Sequence, residues 1–209
     1  MSFYRERILP RVIDKACSAG QTMKLRSRLV PHARGVVLEV GMGSALNLEF
    51  YEPAEVTLIY GLEPSEGMRK RAAERVARSE VAVEWLPLSG ESIPLGDASV
   101  DTVLLTFTLC TIPDPDAALS EMRRVLRPGG ELLFIEHGEA LDARVAGLQR
   151  RLNPGWKRLA GGCNLDRAMP RLIEEGGFEI VELESAYVPK LMKFLGYVHV
   201  GRARAAAEH

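Results

Sequence analysis

The residues with the clearest chemical meaning form a glycine turn, Glu39 to Ala45, at the end of a short apolar segment. Glycine tolerates sharp turns and lets the backbone approach a ligand that a side chain would block. In open α/β sheets, ligands bind at the carboxyl ends of the strands, near the point where strand order reverses. The turn therefore predicts a cofactor site after the first strand, with Gly41, Met42 and Gly43 in contact with the ligand.

Two classes of cofactor are compatible with a Gly-x-Gly turn. A nicotinamide dinucleotide site has Gly-x-Gly-x-x-Gly or Ala, and Leu46 occupies the position where the third small residue would pack. An acid followed by Gly-x-Gly and a further small residue is typical of S-adenosylmethionine (AdoMet) sites, and Glu39, Gly41, Gly43 and Ala45 have this spacing. Leu46 favours AdoMet, whose α-amino group Glu39 is expected to balance directly or through water. A plain tight turn without a ligand is the alternative.

A second acid, Glu63, ends the next predicted strand, 20 residues after Gly43. A carboxylate at this position can accept hydrogen bonds from both ribose hydroxyls of a nucleoside. Pro64 and Met68 follow on the chain and are predicted to belong to the same site.

Two later segments are predicted to complete this site. Ser89, Gly90 and Glu91 follow the third strand and are expected to reach the adenine edge, although Glu91 is equally compatible with an ordinary exposed acid. Thr106 and Phe107 follow the fourth strand and are expected to line the methionine arm, although Thr106 could be a plain strand residue.

With these segments placed, residues 35–136 resemble the class I AdoMet-dependent methyltransferases, especially the ubiquinone/menaquinone-biosynthesis type. The resemblance rests on Glu39 to Ala45, Glu63, Asp101 to Leu105 and Leu126 to Gly130. It is specific for the cofactor and not for the substrate, and it implies AdoMet and a seven-stranded sheet with six parallel strands and the last strand reversed. We expect the methyl acceptor to be a small molecule.

A narrower set of motifs is similar to the methyltransferase-like protein 7 family, membrane-associated thiol methyltransferases that act on small alkyl thiols. The motifs are Thr108 to Ile112, Glu136-His137, Gln149 to Trp156, Gly162 to Arg167 and His199 to Gly201. The resemblance implies a thiol acceptor.

This chain departs from that family at several positions. Met42 and Ser44 replace the usual Cys and Thr, Asp166 replaces a usual Thr, and the apolar N-terminal anchor of the animal members is absent. A quinone-like or lipid acceptor therefore stays open, as does an AdoMet-binding regulator without turnover.

Methyl transfer from a sulfonium depends mainly on positioning and desolvation, so no side chain is obligatory for the chemistry. His137, at the end of the fifth strand, is the candidate that accepts a proton from the acceptor; a hydrogen bond to a loop is the alternative. Cys17, Cys110 and Cys163 are far apart and show no paired spacing, which predicts neither disulfides nor a metal site. Trp156, after Asn153-Pro154-Gly155, is expected to anchor a loop over the pocket, and a position in the core is the equal alternative.

The elements that must position these residues follow from hydrophobic patterning. Short apolar segments alternate with helical patterns, which predicts an α/β, doubly wound, mostly parallel sheet with helices on both faces and an antiparallel hairpin at its end. We expect one methyltransferase domain over residues 1–209. Within it we expect an N-terminal helical cap or lid over 1–34, an AdoMet-binding core over 35–136, and a substrate-side segment with the terminal hairpin over 137–209. The predicted strands are Gly35 to Val40, Val56 to Leu62, Val81 to Leu86, Val100 to Leu105, Glu131 to Glu136, Phe178 to Leu183 and Tyr197 to Ala203.

Composition excludes several other classes of protein. The 27 basic and 28 acidic residues give a formal net charge of -1, which argues against a nucleic-acid partner. No segment approaches the roughly 18 to 20 apolar residues of a membrane span, so no integral membrane segment is predicted. A cytoplasmic location is expected, with peripheral lipid contact through Leu191 to Leu195 as an additional possibility.

Overall fold

The computed structural model describes residues 4–206, so residues 1–3 and 207–209 of the predicted domain lie outside the described part of the chain. The α-helices are α1 (Leu9–Cys17), α2 (Gly20–Leu29), α3 (Glu66–Ala77), α4 (Pro115–Val125), α5 (Ala143–Leu159) and α6 (Met169–Glu175). The strands are β1 (Gly35–Val40), β2 (Val56–Leu62), β3 (Val83–Leu86), β4 (Val100–Thr106), β5 (Leu126–His137), β6 (Phe178–Tyr187) and β7 (Tyr197–Ala205).

The seven strands form one sheet in the order β3-β2-β1-β4-β5-β7-β6. Neighbouring strands from β1 to β5 pair in parallel, and β7 runs antiparallel to both β5 and β6. The predicted fold class is therefore confirmed. The strand order reverses between β1 and β4, so a ligand crevice is expected at the carboxyl ends of these two strands.

Alternating residues of the central strands pack into two separate hydrophobic cores, one on each face of the sheet. Leu38 and Val40 of β1 pack in one core with residues of α4 and α6, whereas Val37 packs in the other with residues of α2 and α3. Leu104 and Leu105 of β4 divide between the two cores in the same way. Because side chains point to opposite faces along a strand, this division requires helices on both sides of the sheet.

The alternation of strands and helices is incomplete on one side of the glycine turn. Residues 41–55, between β1 and β2, contain a single 3-10 turn, Leu48–Phe50, in place of an α-helix. Ala45 adopts a φ of 61°, a left-handed conformation that costs free energy for a residue with a side chain and interrupts a helix.

Asn153, Pro154 and Gly155 all lie inside helix α5, which is 17 residues long. Asp142 caps the helix, its side chain accepting hydrogen bonds from the amides of Arg144 and Val145. Proline inside a helix removes one hydrogen bond and normally predicts a break. Here the helix continues past Pro154 to Leu159, and Gly161 and Gly162 follow with φ of 68° and 107°.

Among residues 4–206, no helix combines the length and apolar character that crossing a bilayer would require.

A buried polar network connects β1, α2 and the segment after the glycine turn. The hydroxyl of Tyr51 and the amide of Asn47 donate to the two carboxylate oxygens of Glu39, at 2.7 and 2.8 Å. The guanidinium of Arg26, on α2, donates to Asn47 Oδ1 at 2.6 Å and to Thr106 Oγ1 at 2.8 Å. A buried network in which most groups are paired holds its members in one arrangement, so it positions the turn, α2 and the end of β4 relative to one another.

Replacing Glu39 by Gln should change how stability depends on pH. Burial raises the pKa of Glu39 from its usual 4.5 to about 7, against the opposing effects of Tyr51, Asn47 and Arg26. The folded protein then holds this proton more tightly than the unfolded chain, so stability falls as pH rises from 4.5 to about 7. Glutamine has the same shape and does not titrate.

The measurement is urea unfolding of both proteins at several pH values. The wild type should lose stability relative to Glu39→Gln across this window, by up to about 3 kcal/mol. A difference between the two proteins that does not vary with pH would contradict the assignment.

Candidate active site

A cavity of about 480 Å³ lies at the carboxyl ends of β1, β2 and β4. Its size is in the range of small-molecule sites. Eleven of the predicted site residues contribute to its wall: Gly41, Met42, Gly43, Glu63, Pro64, Met68, Ser89, Gly90, Glu91, Thr106 and Phe107. The topology therefore brings together segments that are distant in sequence.

The glycine turn is shaped by two close approaches. Gly41 has a φ of 68°, and a Cβ atom there would lie 2.3 Å from the side chain of Thr108. Gly43 has a φ of 59°, and a Cβ atom there would lie 3.2 Å from Cε of Met68. Both positions require a left-handed backbone, so glycine is needed at each for conformation as well as for space.

Glu63 holds this turn to the end of β2. The amide of Gly43 donates to one carboxylate oxygen at 3.0 Å, and the amide of Ser65 donates to the other at 2.8 Å. Burial raises the pKa of Glu63, although these two amide hydrogen bonds favour the charged form. A carboxylate has about four acceptor positions, so the side chain keeps acceptor capacity toward the cavity.

The structure places Glu39 differently from the sequence-based expectation. It is 1% exposed and lies behind the cavity wall, and both of its oxygens are occupied by Tyr51 and Asn47. The expected role of Glu39 toward a ligand amine, directly or through water, therefore stays a prediction, and in this structure Glu39 holds Tyr51 and Asn47. The pattern of an acid before Gly-x-Gly indicated a buried carboxylate near the turn without indicating which way it points.

Arg26 is a site residue that the sequence reasoning missed. It contributes to the cavity wall from α2, it is buried, and its Nε has no hydrogen-bond partner among residues 4–206. The guanidinium also lies 5.6 Å from the ring centre of Phe107. An arginine within a helical pattern of the N-terminal segment looked like one more surface charge, so no local signal distinguished it.

Helix α1 covers one side of the cavity through Leu9, Pro10, Ile13 and Cys17. Asp14 ties it down, because its carboxylate accepts from Ser44 Oγ at 2.5 Å and from Arg71, on α3, at 2.6 Å. Burial opposes the charged form of Asp14, yet these two partners and Arg75 lower its pKa. The N-terminal segment is thus both a packed cap and part of the cavity wall.

The segment after β4 is held by Glu136, which is fully buried at the end of β5. Its carboxylate accepts hydrogen bonds from the amides of Thr108, Leu109 and Cys110, at 2.6, 3.0 and 3.4 Å. Burial raises the pKa of Glu136, and the three amides partly offset this. The turn from Thr108 to Cys110 therefore has a fixed position above β5 and against Gly41.

Gly90 and Glu91 line the cavity after β3. A Cβ atom at Gly90 would lie 3.3 Å from side-chain atoms of both Ile112 and Val40, so the small residue there is explained by packing. Glu91 accepts a hydrogen bond from the amide of Asp114 at 3.4 Å and is partly buried. It is therefore more than an ordinary exposed acid.

His137 does not belong to the cavity wall, and its Nε2 is directed at Cys163 Sγ, 3.1 Å away, so its role as a proton acceptor stays a prediction. The indole N–H of Trp156, on α5, donates to the same sulfur at 3.3 Å. Trp156 itself is helical, and its role as the anchor of a loop over the pocket stays a prediction. It does contact the segment after α5, which borders the cavity at Ala160 and Gly161.

Comparisons with known proteins agree with the fold and the site. Residues 38–134 match the methyltransferase domain family. Thiol S-methyltransferase TMT1B of Rattus norvegicus is 35% identical over 153 residues, which cover 71% of this chain and 62% of that protein. The chain thus spans less than two thirds of the length of that relative.

Two further proteins match this chain over a larger share of their own length. The ubiquinone/menaquinone biosynthesis C-methyltransferase of Syntrophotalea carbinolica is 30% identical over 180 residues, covering 81% of this chain and 75% of that protein. A crystal structure of a SAM-dependent methyltransferase from Aquifex aeolicus superposes with a TM-score of 0.64 at 19% identity, covering 94% of this chain and 98% of that one. The last comparison shows the fold alone. Together with the fold and the glycine turn, these relationships show that the chain belongs to the class I methyltransferases, whose cofactor is S-adenosylmethionine.

Proposed function

We propose that this protein transfers a methyl group from AdoMet to a small-molecule acceptor, and that the acceptor is a thiol. The observation that carries the proposal is the cavity itself. It joins a buried carboxylate at the glycine turn, Glu63, to an apolar wall formed by α1 and the residues after β4.

The nucleoside end of AdoMet fits the part of the cavity beside Glu63. The two carboxylate oxygens of Glu63 each accept one backbone N–H, and their remaining lone pairs suit the two ribose hydroxyls. Gly43 adds no side chain at this point, so a ligand can approach the backbone closely. Met68 and Pro64, also in the wall, offer an apolar surface to the adjoining base.

The methionine end of AdoMet fits the part of the cavity beside Arg26. The Nε of Arg26 has no partner among the described residues, and a buried guanidinium needs an anion or further acceptors. A carboxylate is the group that arginine recognises best. Thr106 and Phe107, next to Arg26, complete this part of the proposed binding site.

When AdoMet is bound, it supplies a methyl group on a positively charged sulfur, which is already a good leaving group. The chain's own contribution is to position the acceptor and to exclude water. Leu9 and Ile13 on α1, together with Ile112 and Pro113, form an apolar wall that suits this role. The contact of Asp14 with Ser44 keeps α1 over the glycine turn.

A small alkyl thiol suits this site for two reasons: the wall is apolar, and a thiol needs little activation. A minor thiolate fraction at neutral pH is already a strong nucleophile. The name of the rat relative, a thiol S-methyltransferase, supports the same class of acceptor. The name of the Syntrophotalea relative points to a quinone precursor, so a quinol is the competing class to be tested.

Replacing Glu63 by Gln should weaken the binding of S-adenosylhomocysteine, the product form of the cofactor, by about 1 to 3 kcal/mol. The variant loses the charge that accepts the ribose hydroxyls. Titration calorimetry measures the affinity, and Glu49→Gln is the matched control, since Glu49 is an exposed acid just beyond the turn. Equal affinities for wild type and Glu63→Gln would place the ribose elsewhere.

The acceptor class can be tested by incubating the protein with AdoMet and a panel of small alkyl thiols, phenols, quinols and phospholipids. We expect methyl thioethers, detected by mass spectrometry, and no such product with Gly43→Val, whose branched side chain is incompatible with a φ of 59°. Methylated quinol without thioether would contradict the thiol assignment. Cofactor binding without product on any acceptor would indicate a regulator that does not turn over.

A further inference from the structure

Three side chains with metal-binding atoms meet beside the cavity: Cys110, His137 and Cys163. Cys110 lies in the turn after β4, His137 ends β5, and Cys163 follows α5. One ligand atom of each lies within 4.8 Å of the other two, and His137 Nε2 is 3.1 Å from Cys163 Sγ. Spacing along the chain gave no sign of this cluster, because the fold brings its members together from three separate segments.

Hydrogen bonds with the residues next to His137 and Cys163 hold the backbone of Cys110 in place. Glu136, next to His137 on β5, accepts the amide hydrogen of Cys110. Asn164, next to Cys163, donates to the carbonyl oxygen of Cys110 through both its backbone and its side-chain amide, at 2.9 Å each. The positions of the three ligands are thus coupled before any ion binds, which is the arrangement that supports a well-formed metal site.

The types of ligand atom in this cluster indicate which metal ion it would bind. Two sulfurs and one imidazole nitrogen suit zinc, which binds sulfur at about 2.3 Å and nitrogen at about 2.0 to 2.1 Å in tetrahedral geometry. Those bond lengths place neighbouring ligand atoms about 3.5 to 3.8 Å apart. This lies within the 4.8 Å that bounds the cluster, so zinc would need the 3.1 Å between His137 Nε2 and Cys163 Sγ to widen by a few tenths of an ångström. Trp156 adds an N–H donor to Cys163 Sγ, the type of outer contact that stabilises a metal-bound thiolate.

We propose that Cys110, His137 and Cys163 bind a zinc ion, with a fourth position open to water or another ligand. Three protein ligands and one open position are typical of zinc sites that take part in chemistry, whereas structural sites use four protein ligands. The cavity is adjacent, since Thr111 and Gly161, close in sequence to the two cysteines, belong to its wall. A thiol is a soft ligand that suits the fourth position; this last point rests on the proposed function, whereas zinc binding does not.

The test uses the full-length protein without AdoMet or acceptor, so its result is independent of methyl transfer. The protein is stripped with a chelator under reducing conditions and titrated with Co²⁺, whose visible and thiolate charge-transfer bands report sulfur ligation and tetrahedral geometry. We expect saturation at one equivalent, and loss of the bands when Zn²⁺ is added, because zinc binds such a site more tightly.

Two variants separate this site from adventitious binding. Cys163→Ser, at a half-buried position, should lower the affinity at least about tenfold and weaken the thiolate bands. Cys17→Ser removes a cysteine outside the cluster and should keep both the Co²⁺ affinity and the thiolate bands. Circular dichroism shows whether each variant is folded. Absence of saturable Co²⁺ binding to the reduced wild type would overturn the proposal. So would unchanged bands in Cys163→Ser, their loss in Cys17→Ser, or a Cys110–Cys163 disulfide with no metal uptake after reduction.

Discussion

The hydrogen bond from the amide of Gly43 to the carboxylate of Glu63 is the interaction on which the rest of the site depends. It joins the turn after β1 to the end of β2. Both lie at the carboxyl edge of the sheet, next to the point where strand order reverses and where ligands bind in open sheets. The bond requires a left-handed backbone at Gly43 and a charge that is largely removed from water. Both requirements cost free energy, and a nucleoside whose hydroxyls use the remaining lone pairs would offset the burial of that charge.

Two other carboxylates follow the same physical scheme along this edge of the sheet. Glu39 near the end of β1 orders Tyr51 and Asn47, and Glu136 near the end of β5 orders the backbone from Thr108 to Cys110. For each of the three acids, burial raises the pKa and nearby donors partly compensate. A buried acceptor that holds two or three donors defines the position of a loop more narrowly than apolar packing does, because its partners must meet it at fixed distances. The carboxyl edge of the sheet is therefore a rigid frame around the cavity.

The sequence could predict the sheet because strand signals are local. The apolar segments at Gly35–Val40 and Val56–Leu62 agree with β1 and β2, and the terminal hairpin agrees with β6 and β7. Helix α5 was not predicted: Pro154 and Gly155, which disfavour a helix interior, lie within it. Residues of the cavity wall could be predicted where a recognisable motif directly follows the end of a strand, as Gly41 to Gly43 follow β1 and Glu63 follows β2. The direction of Glu39, the role of Arg26 and the meeting of Cys110 with Cys163 were not, since each depends on contacts between segments distant in the chain.

In the proposed complex, the glycine turn and Glu63 hold the nucleoside of AdoMet, with its sulfur directed toward the apolar wall. A crystal structure of the protein with S-adenosylhomocysteine tests this most directly. We expect both ribose hydroxyls to lie within hydrogen-bond distance of the Glu63 carboxylate, and the sulfur to face the space between α1 and the residues after β4. A ligand whose ribose lies away from Glu63, or whose sulfur points into the sheet, would contradict it.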